Sequence, residues 1–214
     1  TCRAYDPAFA HEFAVIFDHG ARQMMERQQD VFYYITVTNE NYAQPTLRPG
    51  DEEGIIKGMY RLGNDPTARD PGQVQLLGSG AILREVMAAA ELLRQDWSVP
   101  SDVWSVTSYS ELARDASECL RWNRLHPAST PRQSHLAGCL RQRGPIVAAS
   151  DYVRAYPQLI ASFVEDLVVL GTDGFGRSDT RGALRRFFEV DRHSIVVSAL
   201  FALTINGTVK TALV

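Results

Sequence analysis

The 214-residue sequence predicts an α/β fold in which helices flank a mainly parallel sheet. Short apolar runs at 74–77, 103–106, 146–149 and 167–170 alternate with segments of helical periodicity, and that alternation is the signature of parallel strands joined by crossover helices. The stretch Val168 to Asp179 adds a second observation: an apolar run enters a glycine-rich loop that ends on capping residues, as at a strand-to-helix junction. In open sheets of this kind such loops gather at the carboxyl ends of the strands, where ligands and partners sit.

The chain divides into two parts, 1–72 and 73–214. In the first, Asp6-Pro7 has the form of an N-cap followed by proline at the first helical position. Phe9, Phe13, Ile16 and Phe17 recur on one face of the helix this predicts, which runs to about Gln28. Val31 to Val37 is dense in β-branched and aromatic residues, the composition of a central strand. Pro45, Pro49 and Gly50 interrupt the chain before a short helix from about Glu52 to Leu62. Gly63 to Pro66 and Asp70 to Gly72 carry the composition of an exposed linker.

In the second part Val74 to Leu77 predicts a strand, Gly78-Ser79-Gly80 a tight turn, and Ile82 to Asp96 a helix with Ile82, Val86, Ala89, Ala90 and Leu93 on its inner face. Val103 to Val106 predicts the next strand. Ser108 and Glu111 then have capping-box spacing at the start of a further helix. Ile146 to Ala149 and Leu167 to Leu170 supply two more strands, with a helix near Pro157 to Phe163 between them. Ser178 or Asp179 is expected to cap a helix running through Leu184 and Phe188. Ser194 to Ile205, apolar nearly all round, predicts a helix buried against the sheet.

Composition narrows the function classes. With 45% hydrophobic and 22% charged residues, the chain can bury a proper core. A net charge of −3 supplies no global basic field, and the pairs Arg141/Arg143 and Arg185/Arg186 are too small for a nucleic-acid patch. No apolar run is long enough to span a bilayer, so no membrane partner is expected and the chain reads as cytoplasmic. Cys2, Cys119 and Cys139 are odd in number and unpaired in spacing, and the five histidines form no ligand pair, so no disulfide framework or metal site is expected. Gly78-Ser79-Gly80 resembles a dinucleotide turn but has Leu83 at the third glycine position; turning the chain is the simpler role. Asp173, Arg177 and Asp179 are expected to form a partly exposed ion-pair or capping cluster.

Several motifs in register carry a family resemblance. The strand-Gly-Ser-Gly-helix unit, Val106 to Leu112, Trp122 to Pro127 and Gly171 to Ser178 together resemble the C-terminal domain of the transketolase family. Within it, Tyr33 to Tyr42, Glu52 to Ile55, Glu111 to Asp115, Arg121 to Asn123 and Leu125 to Pro127 look like the homodimeric bacterial pyruvate dehydrogenases. The resemblance implies that residues 1–72 are the end of a thiamine-binding α/β domain with its linker, and 73–214 a whole C-terminal domain. It implies an intact enzyme that uses thiamine diphosphate and Mg, decarboxylates pyruvate, and reductively acetylates lipoyl groups of a dihydrolipoyl acetyltransferase partner. The cofactor-binding, metal-binding and catalytic residues are then expected upstream of Thr1, with none in this chain. The chain alone is accordingly expected to be inactive, contributing structure, dimerisation with a second subunit, or docking. In transketolases an arginine that grips sugar phosphate follows the strand matching Tyr33 to Val37; Asn39 stands there in this sequence. Asn39, Glu40 and Asn41 are thus the substrate-vicinity candidates, while capping of the strand end and loop is the competing role for Asn39 and Asn41. A stand-alone binding or dimerisation module with a ligand at the Gly171 to Gly176 loop, and a transketolase proper, are the alternatives.

Overall fold

The computed structural model describes residues 1–62, 74–140 and 144–208. The predicted linker at 63–72 and the pair Arg141/Arg143 lie outside the described residues. A two-stranded parallel sheet, β1 (Cys2–Tyr5) with β2 (Phe32–Ile35), carries α1 (Ala10–Ala21) and α2 (Asp51–Lys57). Among the described residues the main sheet has five strands in the order β3-β5-β4-β6-β7: β3 (Met59–Leu62), β4 (Val74–Gly78), β5 (Ser101–Val106), β6 (Ile146–Ala149) and β7 (Leu167–Leu170). All its neighbours pair in parallel except β3 with β5.

Period-2 alternation sorts the strands' side chains between two cores. Val74 and Leu76 of β4, with Val147 and Ala149 of β6, face α3 (Leu83–Trp97) and α7 (Arg192–Ile205). Leu77, Ile146 and Ala148 face the other way, onto α4 (Tyr109–Leu125), α5 (His135–Leu140) and a 3-10 helix at Pro157–Phe163. The second layer also encloses a polar chain: the Trp104 indole donates to Gln75 Oε1 at 2.8 Å, and Gln75 Nε2 donates to Asp102 at 3.0 Å. Arg61 of β3 pairs with that same Asp102, so a glutamine inside a central strand has its hydrogen bonds satisfied. Ser108 caps α4 as its spacing predicts, accepting from the Glu111 amide at 3.1 Å.

Several elements depart from the sequence reading. The first helix starts at Ala10 and not at Pro7, because Asp6 turns inward and is buried instead of capping. Glu12 takes over, accepting from the amides of Ala8 at 2.6 Å and Phe9 at 3.0 Å. The helix ends in a π-turn at Arg22–Glu26. Phe13 and Phe17, assigned to its inner face, stack on each other at the surface while Phe9 and Ile16 are buried. Val31 to Val37 is not a central strand among the described residues: there β2 has a single neighbour, β1, which the sequence reading missed. The helix expected over Glu52 to Leu62 stops at Lys57, where Gly58 at φ +107° turns the chain into β3. β3 lies before the predicted linker and yet completes the edge of the main sheet, adding the antiparallel pairing. Helix α5 was likewise not foreseen. Thr180, not Ser178 or Asp179, caps α6 (Arg181–Phe187), its hydroxyl accepting from the Ala183 amide. Val197 and Phe201 of α7 remain exposed, so that helix buries one broad face only.

Candidate functional site

Strand order reverses about β4, whose neighbours β5 and β6 lie on opposite sides, so the crevice at the carboxyl ends of β4 and β6 is where an open sheet would receive a ligand. Ser79 and Ser150 follow those strands, and their hydroxyls meet at 3.1 Å. The space above them is filled by the chain itself. Asp6 donates its amide to the Thr107 carbonyl at 2.7 Å and accepts the Gly80 amide on its own carbonyl at 3.2 Å. Its carboxylate receives the Thr36 hydroxyl. Gly80 has φ +47°, and a Cβ there would lie 2.6 Å from both Asp6 carboxylate oxygens, so the second glycine of the turn is required by this close approach. Burial pushes the Asp6 carboxyl above its usual range, with hydrogen bonds from Thr36 and Ser79 acting against the shift.

The same junction is pinned by Glu12. Its fully buried carboxylate accepts from Tyr60 at 2.7 Å and Ser105 at 2.6 Å in addition to the two amides of its own turn. Ser108 donates to the Ala4 carbonyl and Thr107 to that of Ile55, each at 2.6 Å. Residues far apart in sequence are thus tied by buried hydrogen bonds across the edge of the sheet.

The candidates Asn39, Glu40 and Asn41 follow β2 in a loop beside this crevice. Asn39 accepts from Arg181 Nη2 at 2.7 Å. Glu40 binds Arg84 at 2.7 Å and Arg185 at 3.2 Å, with Arg181 at 3.9 Å. Burial would raise the Glu40 carboxyl, yet Arg185 and Arg84 outweigh it and hold it below the ordinary glutamate range. Asn41 is exposed and makes no hydrogen bond among the described residues. The two asparagines therefore do not cap the strand or loop backbone: one reaches a remote arginine and the other faces solvent. Arg185 continues to Glu85 at 3.1 Å, and Arg192 binds the same carboxylate at 2.9 Å. This ion-pair network joins the loop to α3, α6 and α7. Sequence reading missed it because its members lie between 40 and 192 and no local spacing links them.

The glycine loop after β7 behaves differently from the expectation. Of its three glycines only Gly174 has positive φ, at +88°. Gly171 is required for packing, since a Cβ would meet the Tyr152 carbonyl at 2.6 Å. Asp173 binds Arg154, Arg177 lies 4.0 Å over the Phe187 ring, and Asp179 accepts from the Thr180 amide. The three charged residues expected to cluster thus have three separate partners.

Thiamine diphosphate and Mg, implied by the family resemblance, do not fit these residues. The Gly80 amide, the donor a diphosphate would need, is bound to the Asp6 carbonyl, and the Asp6 carboxylate stands against the turn. Among the described residues no group of three or more His, Cys, Asp or Glu side chains is placed to hold a metal ion. No helix among them is long and apolar enough to cross a membrane.

Comparison with known proteins places this architecture. Residues 1–45 match the pyruvate dehydrogenase E1 component middle domain. Over 216 aligned residues that take in all of this chain, it is 55% identical to the pyruvate dehydrogenase E1 component of Pseudomonas aeruginosa and 49% identical to that of Escherichia coli K12. The chain spans about a quarter of the length of these relatives, 24% in each case. Among solved structures, a transketolase from Pichia stipitis superposes with a TM-score of 0.66 at 15% identity, covering 96% of this chain and 26% of that one. A split-gene transketolase gives 0.57, over 95% of this chain and 58% of its own. Residues 58–191, from the turn into β3 to the cap of α7, match the transketolase-like C-terminal domain, and the chain belongs to that family.

Proposed function

We propose that this chain is part of a thiamine diphosphate- and Mg-dependent pyruvate dehydrogenase E1, about a quarter of its length and taking in its transketolase-like C-terminal domain. The intact enzyme would be a cytoplasmic homodimer that decarboxylates pyruvate and passes the acetyl group to a lipoyl group on a dihydrolipoyl acetyltransferase. The observation that carries this reading is 55% identity across the whole chain to an E1 component. The cofactor supplies the chemistry of decarboxylation. The chain's own contribution is positional: buried hydrogen bonds at Asp6 and Glu12, with the ion pairs of Glu40, fix the loop carrying Asn39, Glu40 and Asn41 beside the crevice. The end of the middle domain would then lie before Gly58 and the C-terminal domain would begin there, β3 included, ahead of the boundary expected at 72/73.

Purified alone and supplied with pyruvate, thiamine diphosphate and Mg²⁺, the 214-residue chain is expected to reduce no ferricyanide. The longer protein that carries it is expected to do so in a thiamine diphosphate-dependent way. Turnover by the chain alone, or none by a folded longer protein, overturns the reading. In that longer protein Asn39→Ala should raise KM for pyruvate, and unchanged kinetics would remove Asn39 from the substrate's surroundings.

A further inference from the structure

Beside the loop bearing Asn39 lies a cavity of about 370 Å³ whose charged lining is three arginines, Arg177, Arg181 and Arg185, against one carboxylate, Asp151. A net charge of −3 over the whole chain makes this local excess of positive charge the more distinctive. Arg185 is committed, bridging Glu40 and Glu85. The other two are not fully used. Arg177 touches only the Phe187 ring and has no carboxylate partner among the described residues. Arg181 gives one nitrogen to the neutral Asn39 and stands 3.9 Å from Glu40.

The remaining walls are of two kinds. Leu184, Phe188 and Val190 give an apolar side. Gly174 and Gly176 give an open backbone side, where an added Cβ would meet nothing within 4 Å. The amides of residues 174 to 177 donate no hydrogen bond among the described residues. Two guanidinium forks match the paired oxygens of a phosphate or carboxylate, and an apolar wall suits a small hydrocarbon body. Cavities of this size hold small ligands.

We propose that this cavity is a binding site for a small organic anion, its phosphate or carboxylate held by Arg177 and Arg181 and its apolar part laid against Leu184 and Phe188. Because Arg181 also holds Asn39, an anion that takes up this guanidinium competes with the loop. Occupancy would thereby loosen the segment that follows β2. The site is separate from the filled crevice above Ser79 and Ser150, and it stands whether or not the chain belongs to a pyruvate dehydrogenase.

Titration of the purified chain with phenyl phosphate, phenylacetate and inorganic phosphate, followed by calorimetry, tests this. Phenyl phosphate or phenylacetate should bind more tightly than inorganic phosphate, and whichever leads identifies the head group. Arg177→Ala together with Arg181→Ala should weaken that binding roughly tenfold or more. Arg177→Ala alone, at a side chain that contacts only one ring, keeps the test available if the double variant does not fold. Asn39→Ala should tighten binding by freeing Arg181. Absence of binding through about 10 mM of each probe, on the scale of weak small-ligand affinities, overturns the proposal. So does binding that survives loss of Arg177 and Arg181 undiminished, or an Asn39→Ala variant that binds no more tightly than the parent.

Discussion

β2 and β4 are both short runs of strand-forming residues, yet they have opposite fates. Every residue of β4 is buried, whereas Phe32 and Tyr34 of β2 are 56% and 60% exposed. β4 is the middle strand of five and is covered on both faces by helices. Among the described residues β2 pairs with β1 alone, and it lays Tyr33 and Ile35 on a small core of Tyr5, Ile16 and Ile55. Aromatic and β-branched content selects extended backbone in β2, and a short apolar run bounded by turn residues does so in β4. Neither determines how many neighbours a strand finds, and burial follows from the neighbours.

That contrast can be broken by truncation. Leu76→Ala in β4 is expected to cost about 2–5 kcal/mol, because a fully buried side chain leaves a cavity between α3, α7 and the sheet. Tyr34→Ala in β2 should change stability by less than about 0.5 kcal/mol. Chemical denaturation of both variants measures the difference, and equal costs would mean that β2 is covered in solution.

A comparable effect is expected where the two sheets meet. Glu12→Ala leaves the Tyr60 and Ser105 hydroxyls and two helix-start amides without their acceptor, at a cost of about 3 kcal/mol. A loss well below this would show that water reaches the junction.

The smallest expected effect lies in the pH dependence. Asp6 has a folded pKa raised by burial, so its contribution is fully present below the unfolded value near 3.8 and is lost as pH rises through the folded one. Glu40 runs the other way: its contribution is present above the unfolded value near 4.5 and is lost as pH falls through its lowered folded value. Asp6→Asn keeps an acceptor for Thr36 and removes a buried charge. Its melting temperature relative to the parent should therefore rise from acid toward neutral pH, while that of Glu40→Gln should fall. Differential scanning across pH 3 to 7, which spans the carboxylate range, distinguishes the two signs.

Much of the main sheet was legible in the sequence. Four of its five strands, the cap at Ser108 and the helices α3 and α4, though not α5, follow from periodicity and turn chemistry, because β4, β6 and helix α3 bury apolar residues at the spacing their backbones impose. β3 was not legible: Met59 to Leu62 reads as a continuation of the preceding helix, but Gly58 at φ +107° ends that helix and turns the chain into a strand. The candidate site was less legible still. Asn39 and Glu40 could be named from a resemblance, but their partners Arg84, Arg181 and Arg185 could not.

The sequence by itself determined the α/β class, the strand-to-helix junctions and the family, since each is written in local spacing or in contiguous strings of residues. Tertiary structure alone decided that Asp6 would fill the crevice at the strand reversal, that Gly80 must be glycine to admit it, and that scattered arginines would share one cavity. These depend on which distant groups come within hydrogen-bonding reach, a relation through space that no local pattern records.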